Sequence, residues 1–342
     1  MPRMFCAVLL LLTVISGCQD PQPAAPAAGA GKSDPAAAPA AGGGKKLRIA
    51  VIPKGTTHEF WKSVHAGAEN AAKELGDVEI FWKSQQLEKD REGQISVVQD
   101  FITKKVDGIV LAPLDSQALV PYVQEAKQAG IPVVIFDSGL NDADTPISYV
   151  ATDNKNGGAL AARRLAELIN NKGNVILTRY TQGSESTTLR EDGFLETLKK
   201  EFPDIKVLSD NVYIGTTPDE SLNNSQQLLI KFGKELNGVF SVCEPNTTGM
   251  LKALEQENLM GKVKFVGFDP APPLLDAMRA QQLHGIVLQD PVKMGYEAVK
   301  TMVNHIRGKP TEKRVVTGEY MATPENMDSP EMKKLLSPEQ FE

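Results

Sequence analysis

Short apolar runs alternate with amphipathic helical segments along most of this chain, and this alternation limits the fold more than any other feature. Leu47–Ile52 is the first apolar run, and Val78–Trp82 and Gly108–Leu111 are the next two; a segment with apolar residues at helical spacing follows each of them. Strands that alternate with helices through short loops form a parallel sheet covered by helices. The sequence therefore predicts an α/β fold built on doubly wound parallel sheets.

The alternation breaks at a polar, turn-rich stretch, residues 138–146, and then starts again, which predicts two domains. A chain of 342 residues is long enough for both. The halves resemble each other weakly, since each contains a run that ends in Phe-Asp, at Phe136-Asp137 and at Phe268-Asp269. Ligands bind outside the carboxyl ends of parallel strands. If the halves face each other across a cleft, each supplies one carboxylate from an equivalent strand end.

The first 46 residues carry targeting signals. Phe5–Ile15 is an apolar run of the size of a secretory signal. It leads into Ile15-Ser16-Gly17-Cys18, which resembles the lipobox of bacterial lipoproteins, where the cysteine is acylated and becomes the mature N-terminus. We expect residues 1–18 to be a lipoprotein signal peptide, Cys18 to be lipidated, and the protein to lie in the periplasm or cell envelope, anchored to a membrane by its lipid. Residues 19–46, rich in Ala, Pro and Gly, read as a flexible tether. An ordinary signal peptide with a chance cysteine is the alternative.

Several classes of function are disfavoured. The formal net charge is −6 and the charges are interspersed, so no nucleic-acid partner is expected. The four histidines lie on separate elements without metal-ligand spacing, so we expect no metal and no other cofactor. The sequence contains no nucleophile elbow and no phosphate-binding glycine loop. Asp137 and Asp269 leave a glycosidase-like enzyme as an alternative.

Polar and aromatic side chains cluster where the predicted strands end. Phe60 and Trp61 follow the first strand and form a plausible lip of a cleft. Charged groups that converge in a partly dry cleft make strong, directional hydrogen bonds to a polyol. The alternative to ligand binding is that Asp137 and Asp269 are turn residues and that Arg190 is an exposed helix residue. The polar candidates for ligand binding are Lys54, Asp137, Arg190, Glu244, Asn246, Asp269 and Gln289.

From Leu47 to about Tyr320 the chain resembles the periplasmic sugar-binding proteins of the ribose-binding type, the solute receptors of ABC importers. The matching pieces include FWKSVHAGA, VDGIVLAP, GIPVVIFDSG, ATDNKNGGALAARRL and FVGFD, in this order. The resemblance implies a periplasmic binding protein fold of type I, with two α/β domains joined by a three-strand hinge and the ligand trapped between them. Residues 47–151 and 290–318 would form the N-terminal lobe, and residues 152–289 and 319–342 the C-terminal lobe.

The same resemblance implies a function. The chain would act as a monomer that captures a monosaccharide or related polyol and delivers it to the transmembrane subunits of an ABC permease. Phe60 and Trp61 match the aromatic pair that sandwiches the sugar ring. The polar groups that hold the sugar hydroxyls are matched by Asp137, Arg190, Asp269 and Gln289.

Departures from the ribose receptors leave the ligand open. Ser138 stands where those receptors have arginine, and Cys243 where they have asparagine, which weakens ribose itself as the ligand. Lys54, Asp137-Ser138 and Glu244 look somewhat like the receptor for autoinducer-2, so a signal receptor that feeds a sensor is the alternative; Ser138 joins the candidate ligand-binding residues on this ground. LacI-type regulators share the fold but carry a DNA-binding segment before the first strand.

Overall fold

The structure is a computed structural model that describes residues 45–340. These residues form two six-stranded sheets, each covered by helices. The prediction of two parallel-sheet α/β domains is confirmed. The predicted signal peptide, the lipidated Cys18 and nearly all of the tether lie outside the described residues.

The strands are short and come from both halves of the chain. They are β1 (Leu47–Ile52), β2 (Val78–Trp82), β3 (Gly108–Leu111), β4 (Val133–Phe136), β5 (Ser148–Ala151), β6 (Gly173–Thr178), β7 (Ile205–Ser209), β8 (Gly238–Ser241), β9 (Lys264–Phe268), β10 (Gly285–Gln289), β11 (Arg314–Val316) and β12 (Glu319–Ala322).

Helices connect most of these strands. They are α1 (Glu59–Leu75), α2 (Arg91–Thr103), α3 (Val120–Gln128), α4 (Asn154–Leu168), α5 (Glu185–Glu201), α6 (Pro218–Phe232), α7 (Glu244–Gln256), α8 (Pro272–Arg279), α9 (Pro291–Ile306) and α10 (Pro330–Leu336).

The two sheets have the same arrangement. The first runs in the order β11-β5-β4-β3-β1-β2 and the second in the order β12-β10-β9-β8-β6-β7. All neighbours are parallel except β12, which runs antiparallel to β10. Strands β4 and β9 therefore occupy equivalent positions, as the repeated Phe-Asp ends predict. We call the first sheet with α1, α2, α3 and α9 the N-terminal lobe, and the second sheet with the remaining helices the C-terminal lobe.

The chain passes between the sheets at three places. It leaves the first sheet after Ala151, returns after Gln289 and leaves it again after Val316, where β11 and β12 belong to different sheets. The predicted lobe boundaries follow the same division and stay a prediction. This sheet membership supports them.

Both faces of each sheet are buried under helices. In β1, Ile49 and Val51 enter the apolar cluster formed with α1 and α9, whereas Ala50 and Ile52 enter the cluster formed with α2 and α3. A strand buried on both faces has a continuous apolar sequence, which is the pattern found here. The loops at the carboxyl ends of the strands are therefore held on a rigid base.

Glycines allow pairs of helices to approach closely. A Cβ atom on Gly158 of α4 would lie 2.0 Å from the carbonyl oxygen of Arg190 on α5, and one on Gly193 would lie 2.0 Å from that of Lys155. In the N-terminal lobe, Gly67 of α1 makes the same kind of close approach to α9. No side chain fits at these contacts, so the glycines set the distance between the helices.

Some boundaries differ from the sequence pattern. The pattern predicts a strand from Lys206 to Tyr213, but β7 ends at Ser209, because the polar Asp210 and Asn211 that follow are poor strand formers. The sequence pattern did not predict strand β11, which has three residues, strand β12, which has four, or helix α10. Elements this short show too little periodicity to be recognised.

Candidate functional site

A cavity lies between the lobes at the carboxyl ends of the strands. Its empty space measures about 380 Å³ when the part that opens to solvent is included. Eight of the ten predicted ligand-binding residues line it: Lys54, Phe60, Trp61, Asp137, Arg190, Glu244, Asp269 and Gln289. The structure thus brings most of the predicted set together, from both lobes.

Phe60 and Trp61 lie in the first turn of α1. Their rings meet edge to face, with centroids 4.9 Å apart and an angle of 80° between the planes. Trp61 also packs edge-on against Phe136 and is almost fully buried, so it belongs to the core as well as to the cavity wall. Because the two neighbouring rings are perpendicular, they do not form two parallel walls around one slot in this arrangement. The contact of this pair with a sugar ring stays a prediction.

Lys54 follows β1 and is buried where the lobes meet. Its Nζ lies 3.1 Å from Asp137 Oδ2 in the same lobe. It also donates to Ser186 Oγ at 3.0 Å and to Ser184 Oγ at 3.3 Å in the C-terminal lobe. The ammonium therefore links the two lobes across the edge of the cavity.

Asp137 and Asp269 follow the equivalent strands β4 and β9. Both have a left-handed backbone, with φ of 59° and 62°, which aspartate tolerates better than most residues. Their N–H groups donate to Val150 and Val287, each on the neighbouring strand of its own sheet. The shared geometry directs one carboxylate from each lobe into the cavity.

Arg190 lies in the second turn of α5 and is buried. Its Nε donates to Asn154 Oδ1 at 2.8 Å and its Nη1 to the Val242 carbonyl at 2.9 Å. The guanidinium carbon lies 3.7 Å from the centre of the Phe268 ring, and Nη1 lies 3.7 Å from Asp269 Oδ2. These contacts orient the guanidinium towards the cavity.

Gln289, at the end of β10, joins Asp269 to a crossing between the lobes. Its Nε2 donates to Asp269 Oδ1 at 2.8 Å, and its Oε1 accepts from Thr152 Oγ1 at 2.8 Å. Burial raises the pKa of Asp269 to about 6, although Arg190 and Gln289 act in the opposite direction. Because this pKa still lies below 7, the Asp269 carboxylate is mostly ionised at neutral pH.

A second cluster at the cavity was not predicted as a unit. The Glu88 carboxylate accepts from Trp61 Nε1 at 2.6 Å and from Tyr180 Oη at 2.9 Å, and it pairs with His58 Nδ1 at 2.8 Å. Tyr180 belongs to the C-terminal lobe and the other three to the N-terminal lobe, so Glu88 also joins the lobes. Glu88 lies in the charged stretch 87–92, which resembles a solvated loop. The signal that would find it is its place after β2, at the same edge of the sheet as Lys54.

Charge pairing dominates the titration of this cluster. Burial alone would lower the pKa of His58, but Glu88 outweighs it and raises the pKa to about 9. Burial alone would raise the pKa of Glu88, but His58, Lys54 and Trp61 outweigh it and lower the pKa to about 2. Both groups are therefore charged at neutral pH.

The remaining lining residues come from the C-terminal lobe. Ser186 and Thr187 lie in the first turn of α5, and Cys243 and Pro245 lie at the start of α7. Cys243 is a free, buried cysteine, and burial raises the pKa of its thiol. These small side chains leave room beside the charged groups.

Ser138 and Asn246 do not line the cavity. Ser138 Oγ accepts from the Ser186 N–H at 3.1 Å, so it positions a lining residue. Asn246 lies in the first turn of α7 and turns its Nδ2 away from the cavity, towards Gly215 and Ser221. Glu244 also starts this helix, but its side chain faces the cavity.

Further contacts close the lobes on each other. The Ser116 N–H donates to the Gly183 carbonyl at 2.9 Å, and Lys89 pairs with Glu220 at 2.6 Å. The Tyr149 hydroxyl lies 3.0 Å from Glu185. The structure thus shows the two lobes in a closed arrangement around the cavity.

Replacing His58 by glutamine is expected to lower the free energy of unfolding most strongly between pH 4.5 and 6.5, the ordinary pKa values of the pair. A raised histidine pKa stabilises the fold below pH 6.5, and this contribution is lost as the pH rises through about 9. The lowered Glu88 pKa acts above pH 4.5, and its contribution is lost as the pH falls through about 2. Urea unfolding from pH 4 to 10 measures the difference.

The exposed His305 provides the matched control, and His305→Gln should show no such profile. A His58→Gln deficit that stays constant from pH 5 to 10 would contradict the ion pair.

Residues 45–340 lack two features. No group of three or more His, Cys, Asp and Glu side chains in that range could hold a metal ion. None of the helices in the same range is both long and apolar enough to cross a membrane.

Residues 49–310 match the model of the periplasmic binding protein domain. The xylitol-binding protein of Mycolicibacterium smegmatis is 29% identical over 224 residues, which are 66% of this chain and 62% of that protein, so the chain spans less than two thirds of this relative. Two solved structures are also similar. One is a carbohydrate transporter solute binding protein from Agrobacterium radiobacter, in complex with D-arabinose. The match covers 85% of this chain and 99% of that protein, with 32% sequence identity and a TM-score of 0.82. An ABC transporter solute binding protein from Agrobacterium vitis, with bound D-fucose, has a TM-score of 0.81 and 32% identity, with 85% and 100% covered.

Proposed function

The chain belongs to the periplasmic binding protein domain family, and from this membership we propose that it is an extracytoplasmic receptor that captures a sugar or sugar-like molecule between its lobes and delivers it to an ABC-type permease. The resemblance identified in the sequence is thereby confirmed. The solved relatives that bind D-arabinose and D-fucose support the choice of a small sugar.

One observation of the molecule carries the proposal. The cavity combines an aromatic pair with charged side chains from both lobes, which is the chemistry that a polyol needs. A sugar ring has an apolar face for an aromatic side chain and a rim of hydroxyls for charged hydrogen bonds.

Each predicted ligand-binding residue has a role in this proposal. Phe60 or Trp61 stacks on the ring, and Asp137 and Asp269 accept hydroxyl protons. Arg190 donates, and Gln289 both donates and accepts beside the hinge. Lys54 and Glu244 are the other charged residues of the predicted set, and Lys54 acts through its contacts to both lobes. Ser138 and Asn246 act behind the cavity wall.

Closure couples binding to transport. Lys54 and Glu88 bridge the lobes, so their contacts exist only when the lobes are together. A ligand that touches both lobes shifts the equilibrium towards the closed form, and the permease distinguishes the closed form from the open one. In this proposal a monomer is sufficient.

We further propose that the chain is held at the cell envelope through an acylated Cys18, with the tether as a spacer. The lipobox pattern supports this proposal. Mass spectrometry of protein extracted from membranes would detect the acyl chains, and an unmodified Cys18 in the mature protein would contradict it.

A thermal-shift screen tests the proposed function. The probes are D-arabinose, D-fucose, D-ribose, D-xylose, xylitol and autoinducer-2. A ligand at one hundred times its dissociation constant adds about 2.7 kcal/mol of stability, which is readily detected. We expect a strong shift with a sugar or polyol that is then recovered chemically intact.

Other outcomes separate the alternatives. A shift with autoinducer-2 alone would assign the protein to signalling. A changed product would turn Asp137 and Asp269 into catalytic candidates. No shift with any probe would contradict the sugar-receptor proposal and leave the fold unaffected.

A further inference from the structure

Most hydrogen-bond donors at the cavity are already used by the protein. An ammonium group has three N–H donors, and Lys54 Nζ has three oxygen partners, on Asp137, Ser184 and Ser186. Lys54 therefore has no N–H left to offer to a ligand.

Other donors at the cavity, from both lobes, are engaged as well. Trp61 Nε1 donates to Glu88 and His58 Nδ1 pairs with the same carboxylate, while a hydrogen bond with the Thr216 backbone also raises the pKa of His58. The Tyr180 hydroxyl also donates to Glu88. Arg190, whose Nη2 has no partner within residues 45–340, is the main charged donor that still faces the cavity.

Carboxylate oxygens, by contrast, are available. Asp137 uses Oδ2 in its ion pair with Lys54 and has Oδ1 left. Glu244 accepts one hydrogen bond, from Thr248 Oγ1 at 3.2 Å, and has no lysine, arginine or histidine within 4.0 Å among the described residues. The cavity thus offers acceptors in excess of donors.

The charges are unequal in the same sense. Four carboxylates line the cavity, on Glu88, Asp137, Glu244 and Asp269, against the three cationic side chains of Lys54, His58 and Arg190. Each cation pairs with a different carboxylate, at 3.1, 2.8 and 3.7 Å, and Glu244 is the one left over. Burial raises the pKa of Glu244, although His58 and Thr248 act in the opposite direction, so the charge of this carboxylate is only partly compensated. A ligand with a positive charge would supply further compensation.

We propose that the sugar-like ligand carries an ammonium group, as an amino sugar or aminopolyol does, and that Glu244 binds this group. This proposal rests on the proposed function and specifies the class of ligand at the same site. An ammonium group supplies three donors and one positive charge, which match the free carboxylate oxygens and the unpaired Glu244. The hydroxyls of the same ligand accept from Arg190.

Isothermal titration calorimetry of the purified protein at pH 7 tests the proposal. The probes are the 2-, 3-, 4- and 6-amino-deoxy derivatives of D-glucose and D-galactose, each compared with its neutral parent. We expect at least one amine to bind about tenfold more tightly than its parent, since a charged hydrogen bond in a buried site is roughly twice as strong as a neutral one. N-acetylation, which removes the charge, should abolish that advantage.

Glu244→Gln isolates the role of the carboxylate because it keeps the size of the side chain. It should reduce the affinity for the amine by about tenfold more than it reduces the affinity for the neutral parent. Glu255→Gln is the matched control, since Glu255 lies on the same helix and is exposed; it should change neither.

The outcomes are distinguishable. If every neutral parent binds as tightly as its amine, the ammonium proposal is overturned and the proposed function stands. If Glu244→Gln weakens both members of a pair equally, Glu244 is not the ammonium partner. If neither class binds, both proposals fail.

Discussion

Arg190→Ala is expected to lower the affinity for the bound sugar by about a hundredfold, measured by isothermal titration calorimetry with the probe that gives the largest thermal shift. A hydrogen bond to a charged group is worth about 1.5–3 kcal/mol, and about 1.4 kcal/mol is a factor of ten. Two such bonds to the ligand therefore account for the loss. Arg279→Ala is the control, because Arg279 lies on the exposed side of α8 and should bind as the wild type does.

The same substitution is expected to destabilise the fold. Arg190 bonds Asn154 and the Val242 carbonyl and faces the buried Asp269. Removing one member of a buried charge pair costs about 3–5 kcal/mol, because the other charge is left unpaired. Urea unfolding separates this effect from binding.

If Arg190→Ala fails to fold, Asp137→Asn takes its place, since it keeps the size of the side chain and removes one acceptor. We expect this variant to bind the sugar about tenfold more weakly. Affinities within about twofold of the wild type for both variants would contradict the assignment of the site.

Gly158→Val is expected to cost about 3 kcal/mol or more of unfolding free energy, because overpacking a close contact forces backbone shifts. A Cβ atom at this position would lie 2.0 Å from the Arg190 carbonyl oxygen, which cannot move without α5. The shift would displace Arg190, so sugar binding should fall as well. Urea unfolding and calorimetry measure the two effects.

Ala159→Val is the matched control, since it makes the same side chain one position further along α4, where the residue is only half-buried. It should cost about 0.5 kcal/mol, the difference in helix propensity. Equal losses for the two variants would mean that Gly158 does not set the spacing of α4 and α5.

The fold was accessible from the sequence because its elements repeat a strong pattern. Buried strands such as Gly108–Leu111 are fully apolar, and the helices after them are periodic. The strands β11 and β12 were not predicted, because a strand of three or four residues has no such signal. Their pairing depends on the tertiary structure.

The site was accessible for a related reason. Lys54, Asp137 and Asp269 follow strands directly, and parallel strands end at one edge of a sheet. Glu88 and Tyr180 were not predicted as site residues, because their contact joins residues 92 positions apart in different lobes. Asn246 follows a strand too, but the start of α7 turns its side chain towards Ser221, and sequence position alone does not show that direction.

A crystal structure of the protein with the most tightly bound sugar or amino sugar tests the central claim most directly. We expect the ligand in the cavity between the lobes, with one aromatic ring of the pair Phe60 and Trp61 on its face and Arg190 and Asp137 within hydrogen-bond distance of its hydroxyls. Electron density for the ligand outside this cavity, in contact with neither lobe's strand-end carboxylates, would contradict it.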